Sequence, residues 1–176
     1  PGTPFEALGT NDRSTSIDNR DWALYAQATA DLTTWASLTA GVRYTEEKKG
    51  LERSIRPLGS PTAEPGFQFD GDADFSAWSP MGSVAVTMPD SWLDPIALVH
   101  LLAYFTYARG FRGGGFNGAI TRETPEDLIP FSPEFVDSFE IGVKTVGFDS
   151  RATLNVSAFV AEQRDQQVSE IVNGPV

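Results

Sequence analysis

The chain has 176 residues, no cysteine, a single histidine (His100) and a formal net charge of −11. Disulfides and Cys-based zinc sites are therefore excluded, and one histidine supplies neither a His cluster for a metal nor, without help from elsewhere, a Ser/His/Asp triad. Phosphate-backbone binding needs clustered Lys and Arg, so no nucleic-acid partner is expected. The longest apolar run, Ile96 to Phe105, is interrupted by His100 and falls short of the roughly 20 residues of a membrane-spanning helix.

Strict alternation begins at Asp21. Trp22, Leu24, Ala26, Ala28, Ala30 and Leu32 share one parity, against Asp21, Ala23, Tyr25, Gln27, Thr29 and Asp31 on the other. Period two predicts a strand. Leu38, Ala40, Val42 and Tyr44 predict a second, and the brief link from Thr33 to Ser37 makes the two an antiparallel hairpin. The polar segment from Glu46 to Asp74, with Pro57, Pro61 and Pro65, shows no sustained period and is read as a long loop. A third strand is predicted from Phe75 to Thr87, with Pro80 in its first half, followed by a turn from Pro89 to Pro95.

Ala97 to Arg109 then predicts a strand with Val99, Leu101, Ala103, Phe105 and Tyr107 on one face, closing hairpin two. A second long loop is expected from Gly110 to about Glu134. Phe135 to Thr145 sets Phe139, Ile141 and Val143 against Ser138, Glu140, Gly142 and Lys144. After Gly147 to Ser150, a last strand opposes Ala152, Leu154, Val156, Ala158 and Val160 to Arg151, Thr153, Asn155, Ser157 and Phe159. That is hairpin three.

In this reading every second connection is long. Outer-membrane barrels have that asymmetry, with short periplasmic turns, longer extracellular loops and strands that alternate apolar-out and polar-in. Trp22, Trp35, Tyr44, Trp92 and Tyr107 fall at or near strand ends, where interface girdles place aromatics. The expected fold is all-β: about six strands of an antiparallel up-and-down transmembrane β-barrel, in three hairpins. Six strands leave two open edges, and orphan backbone groups are costly in hydrocarbon, so the barrel is incomplete and further strands must close it.

Several local motifs are weaker. Gly113-Gly114-Gly115 lacks the Lys-Ser/Thr of a phosphate loop and is read as a flexible loop base. Asp70 to Asp74 opens like a calcium loop, but Phe75 and Met81 stand where an EF-hand needs Gly and Glu, leaving at most a weak surface site. Glu46-Glu47-Lys48-Lys49 is read as a strand's exit into water. Glu162, Asp165 and Glu170 show no pocket signal, and no catalytic residue, cofactor or metal is assigned.

Arg109, Arg112 and Asn117 crowd the point where a strand meets a long loop. They admit two readings: contact with an anionic ligand, for which Arg supplies fixed charge and forked donors, or pairing with Glu140, other acids or lipopolysaccharide phosphates. Arg43, Glu140 and Lys144 fall on polar parities and are expected to face the lumen.

Tyr104-Phe-Thr-Tyr-Ala-Arg-Gly-Phe-Arg-Gly-Gly-Gly-Phe-Asn117 resembles a phrase of the TonB-dependent outer-membrane receptor family. In the family's order follow further similar stretches: Tyr25 to Ala28, Leu38 to Thr45, Phe131 to Glu134, Phe139 to Lys144 and Leu154 to Phe159. Gly113 and Phe139 depart from common family residues. The resemblance implies that residues 1–176 are part of a single β-barrel domain, with the plug domain and closing strands absent from the chain. It further implies bacterial outer-membrane localisation and an active-transport receptor for a scarce nutrient such as an iron chelate. The implied partners are outer-membrane lipid, a plug domain of the same full-length protein, an inner-membrane energy-coupling complex and a small-molecule ligand. The alternatives are a passive outer-membrane channel or adhesin, and a soluble β-sandwich that binds carbohydrate.

Overall fold

The computed structural model describes residues 11–57, 66–93, 98–117 and 129–168. Six strands form one sheet in sequence order: β1 (Asn11–Asp31), β2 (Ala36–Pro57), β3 (Phe67–Thr87), β4 (Leu98–Arg112), β5 (Glu134–Gly147) and β6 (Ala152–Arg164). A single helical turn, α1 (Asp90–Leu93), lies between β3 and β4. Among the described residues there is no second sheet layer, so the β-sandwich expectation is not met. No helix of the described residues is long and apolar enough to cross a membrane.

The three hairpins form where alternation predicts them. In the first, the amides of Leu32 and Thr33 both donate to the Ala36 carbonyl. In the third, Phe148, Asp149 and Ser150 all adopt positive φ, and the Arg151 amide donates to the Phe148 carbonyl. Positive φ matches a tight turn to the right-handed twist of its flanking strands, at a steric cost to residues bearing a Cβ.

The largest departure concerns the expected loop from Glu46 to Asp74. Strand β2 continues to Pro57 and β3 starts at Phe67, with the Gly66 amide donating to the Ile55 carbonyl where the hairpin closes. Likewise β1 starts at Asn11 rather than Asp21. The segment escapes a pattern search because its apolar positions are sparse and lie on the other parity. Leu51, Ile55 and Phe67 are odd-numbered and buried, whereas Leu38 to Tyr44 are even-numbered. Asp70, Asp72 and Asp74 therefore lie in a strand, on alternate residues about 7 Å apart, and form no calcium loop. Readings that involve Pro61, Pro65, Ala97 and Glu170 lie outside the described residues.

By contact density the chain divides into two compact units. One comprises Ala23–Thr45, Ser76–Arg112 and Glu134–Val176, which holds the hairpin turns and is called the turn-side unit. The other, the loop-side unit, comprises Pro1–Trp22, Glu46–Phe75 and Gly113–Pro133.

Candidate functional site

In an antiparallel ladder directly opposed residues point to the same face, so the register sorts the turn-side side chains. Phe105 opposes Ile141, Ala103 opposes Val143, and these oppose Ala158 and Val156 on β6. Val84 and Val86 of β3 join them opposite Phe105 and Ala103. This apolar face is uncovered: Ile141 is 61% exposed and Val156 59%. The other face carries Thr106 opposite Glu140, Leu102 opposite Lys144, and Ser157 and Asn155 on β6. Ser83 and Thr106 share a hydroxyl hydrogen bond of 2.9 Å, as do Thr29 and Thr39 between β1 and β2.

The polar face is a connected ladder on β4 and β5. Tyr104 lies opposite Gly142, and a Cβ at that glycine would overlap the phenol ring, so its absence lets the ring lie across β5. From there the Tyr104 hydroxyl donates to Glu140 Oε1, while Lys144 Nζ sits 5.4 Å from the ring centroid. Arg43 is on the same face of β2, its Nε donating to the hydroxyl of buried Thr45 at 3.1 Å. Glu140 and Lys144 thus share the sheet face opposite to Phe105 and Ile141. Tyr104 was missed by sequence reasoning; the available signal was a glycine in mid-strand, which often marks close approach by an aromatic neighbour.

The three residues expected near the strand-to-loop junction separate. Arg109 is odd-numbered and opposes Asp137, on the same face as Phe105 and Ile141. Its Nε and Nη2 donate to the two carboxylate oxygens, each at 2.8 Å, and the Tyr107 hydroxyl donates to Oδ1 at 2.7 Å. Arg164 on β6 adds a longer contact at 3.7 Å. Asp137, with its side chain 5% exposed, is therefore the hub of a forked ion pair. Above and below it on the same face lie the Tyr107–Phe139 and Phe111–Phe135 ring pairs. Glu140 is not Arg109's partner, because one residue of register moves a side chain to the opposite face.

Arg112, exposed, opposes the buried Glu134 on the polar face. Asn117, also exposed, belongs to the loop-side unit.

In the loop-side unit the side chains of Leu51, Ile55 and Phe67 form a buried cluster, with Phe69 and Phe116 packed against it. Gly113, Gly114 and Gly115 are buried. They are not a free loop base: a Cβ on Gly113 would strike Glu47, and one on Gly114 would strike the Phe131 carbonyl and the Phe75 ring. Gly115 and Phe131 exchange both backbone hydrogen bonds, at 3.3 and 2.8 Å. Glu47 and Lys49, expected to mark an exit into water, form a 3.1 Å ion pair whose side chains are only 21% and 25% exposed. Among the described residues no group of three His, Cys, Asp or Glu side chains is arranged to hold a metal.

A single antiparallel sheet with one apolar and one polar face, joined only by hairpin-type neighbours, defines the wall of an up-and-down barrel. The profile of the family described as TonB dependent receptor-like, beta-barrel matches residues 1–176, and the chain belongs to that family. This family's barrels reside in the bacterial outer membrane, and its fold is that of transport receptors rather than enzymes. Among solved structures, the chain is similar to the crystal structure of the ferric yersiniabactin uptake receptor FyuA from Yersinia pestis. The TM-score is 0.71 at 21% identity, over 90% of this chain and 22% of that one. The chain thus spans about a fifth of that receptor's length, and at this identity the likeness speaks for the fold. An incomplete barrel of TonB-dependent receptor type is what the six open strands represent.

Proposed function

We propose that the full-length protein is an active-transport receptor of the bacterial outer membrane. It binds a scarce nutrient such as an iron chelate at the cell surface and imports it with energy from an inner-membrane coupling complex. The observation that carries this reading is the division of β4, β5 and β6 into one apolar and one polar face, in a chain of the TonB-dependent receptor family. The similar receptor named for ferric yersiniabactin uptake supports an iron chelate as the ligand class.

In this reading residues 1–176 are one part of a barrel domain, completed by strands elsewhere in the full-length protein. Outer-membrane lipid covers Phe105, Ile141 and Val156, while Arg43, Glu140 and Lys144 line the lumen and meet a plug domain of the same protein. Arg109 holds the sheet through Asp137, and Arg112 and Asn117 are each proposed, on its own element, as a contact for a small-molecule ligand.

The test uses the full-length receptor expressed in cells lacking other ferric-chelate receptors. Uptake of radiolabelled ferric phenolate and hydroxamate chelates should occur and collapse when the proton-motive force is dissipated. Entry of both that ignores the uncoupler would replace the receptor with a passive channel. Arg112→Ala and Asn117→Ala should each weaken chelate binding, whereas Arg109→Ala should lower folding yield without a specific binding defect.

A further inference from the structure

The glycine run and the phenylalanine after it lie at the junction between β4 and the connection to β5. Strand β4 ends at Arg112, and the next four residues lie against the odd-numbered face of β2 and β3 within the loop-side unit. Three features hold them there. The absent side chain of Gly114 lets the backbone approach the Phe131 carbonyl and the Phe75 ring more closely than any Cβ permits, while Gly113 lies beside the Glu47 carboxylate and Gly115 close against the Phe131 ring. Phe116 then packs edge-to-face on Phe69, with centroids 5.6 Å apart, beside the Leu51, Ile55 and Phe67 cluster. Finally, the reciprocal Gly115 and Phe131 hydrogen bonds tie the departing stem of the β4–β5 connection to its returning stem.

Hydrogen bonding alone would join the two stems to each other but to nothing else. The glycine contacts with Phe75 and the insertion of Phe116 join them to the extended β2–β3 hairpin as well. We propose that Gly113, Gly114, Gly115 and Phe116 form a docking foot, which anchors both stems of the β4–β5 connection to β2 and β3 and thereby positions Asn117. The role of Asn117 as a ligand contact rests on the receptor reading, but the anchoring does not. Glycine is required at 114 because two obstacles, a backbone carbonyl and an aromatic ring, converge on one Cβ position. By contrast, a Cβ on Gly110 within β4 meets only ordinary contacts, the nearest at 3.8 Å.

The experiment uses the full-length receptor in detergent, with any cysteines outside this chain replaced, since the chain itself has none. Gly115→Cys with Phe131→Cys places two thiols at a directly hydrogen-bonded antiparallel pair, a spacing that a disulfide bridges. Mild oxidation should link them, as read by mass spectrometry of the joined peptides. Adding Phe116→Ala should slow the linkage about tenfold, a modest fraction of what losing a packed phenyl ring costs. A spin label on Asn117→Cys should be motionally restricted, become mobile with Gly114→Val or Phe116→Ala, and stay restricted with Gly110→Ala.

Equal linkage rates with and without Phe116, or a label equally mobile in every variant, would overturn the proposal. Phe116→Ala introduces no clash, so it decides the matter even where Gly114→Val fails to fold. Neither readout needs a ligand, so a failure of the receptor reading leaves this result standing and separately visible.

Discussion

The turn-side and loop-side units put their apolar residues on opposite parities of the same strands. On β2 the even positions Leu38, Ala40, Val42 and Tyr44 are apolar, but from Leu51 the odd positions Leu51 and Ile55 are the buried ones. Strand β3 repeats the switch: Phe67, Phe69 and Phe75 are odd, whereas Trp78, Val84 and Val86 are even. In hydrocarbon an apolar side chain is favoured on the lipid surface of a sheet; in water it is favoured where other side chains cover it. On the receptor reading proposed above, a parity switch within one continuous strand is where its surroundings change from lipid to water. Trp78 and Tyr44, with ring centroids 4.9 Å apart, stand at that change, as interface aromatics do.

Four substitutions in the full-length receptor sharpen or break this comparison. The largest effect is expected from Leu51→Ala, which empties the centre of the loop-side cluster and should cost about 2–5 kcal/mol. Hydrogen exchange should show the loss in the loop-side amides and not in β5 or β6. Ile141→Arg puts a charge on the turn-side apolar face and should cost about 2–4 kcal/mol, measured by urea titration in lipid vesicles. Near-neutral stability there would mean that Ile141 does not meet hydrocarbon.

Thr39→Val removes the hydroxyl pair with Thr29 on the polar face while keeping a β-branched side chain, and should cost about 0.2–1 kcal/mol by the same titration. Asp74→Asn breaks the contact with Lys48, whose charged atoms are 3.9 Å apart on two exposed side chains. It should shift stability by less than about 0.5 kcal/mol and lose even that in high salt.

The turn-side strands and their hairpins were legible because every second residue is apolar over long stretches and short polar links separate them. The loop-side strands were not, since Arg53, Gly71 and Ala73 interrupt the odd-numbered apolar positions and the parity has just reversed. For the candidate residues the outcome is similarly divided. Parity alone put Arg43, Glu140 and Lys144 on the polar side. It offered no means of pairing Arg109 with Asp137, because cross-strand partners depend on the register between two strands.

By itself, then, the sequence determined the alternation that makes this chain a barrel wall, because the two-residue period of a strand is a local property of the backbone. The tertiary structure decided the length of β1 to β3, the partner of Arg109, the crossing of Tyr104 over Gly142, and the use of the glycine run as a close-packed foot. Each of these depends on which distant residue lies opposite, and an alternation pattern read along one strand carries no information about its neighbour.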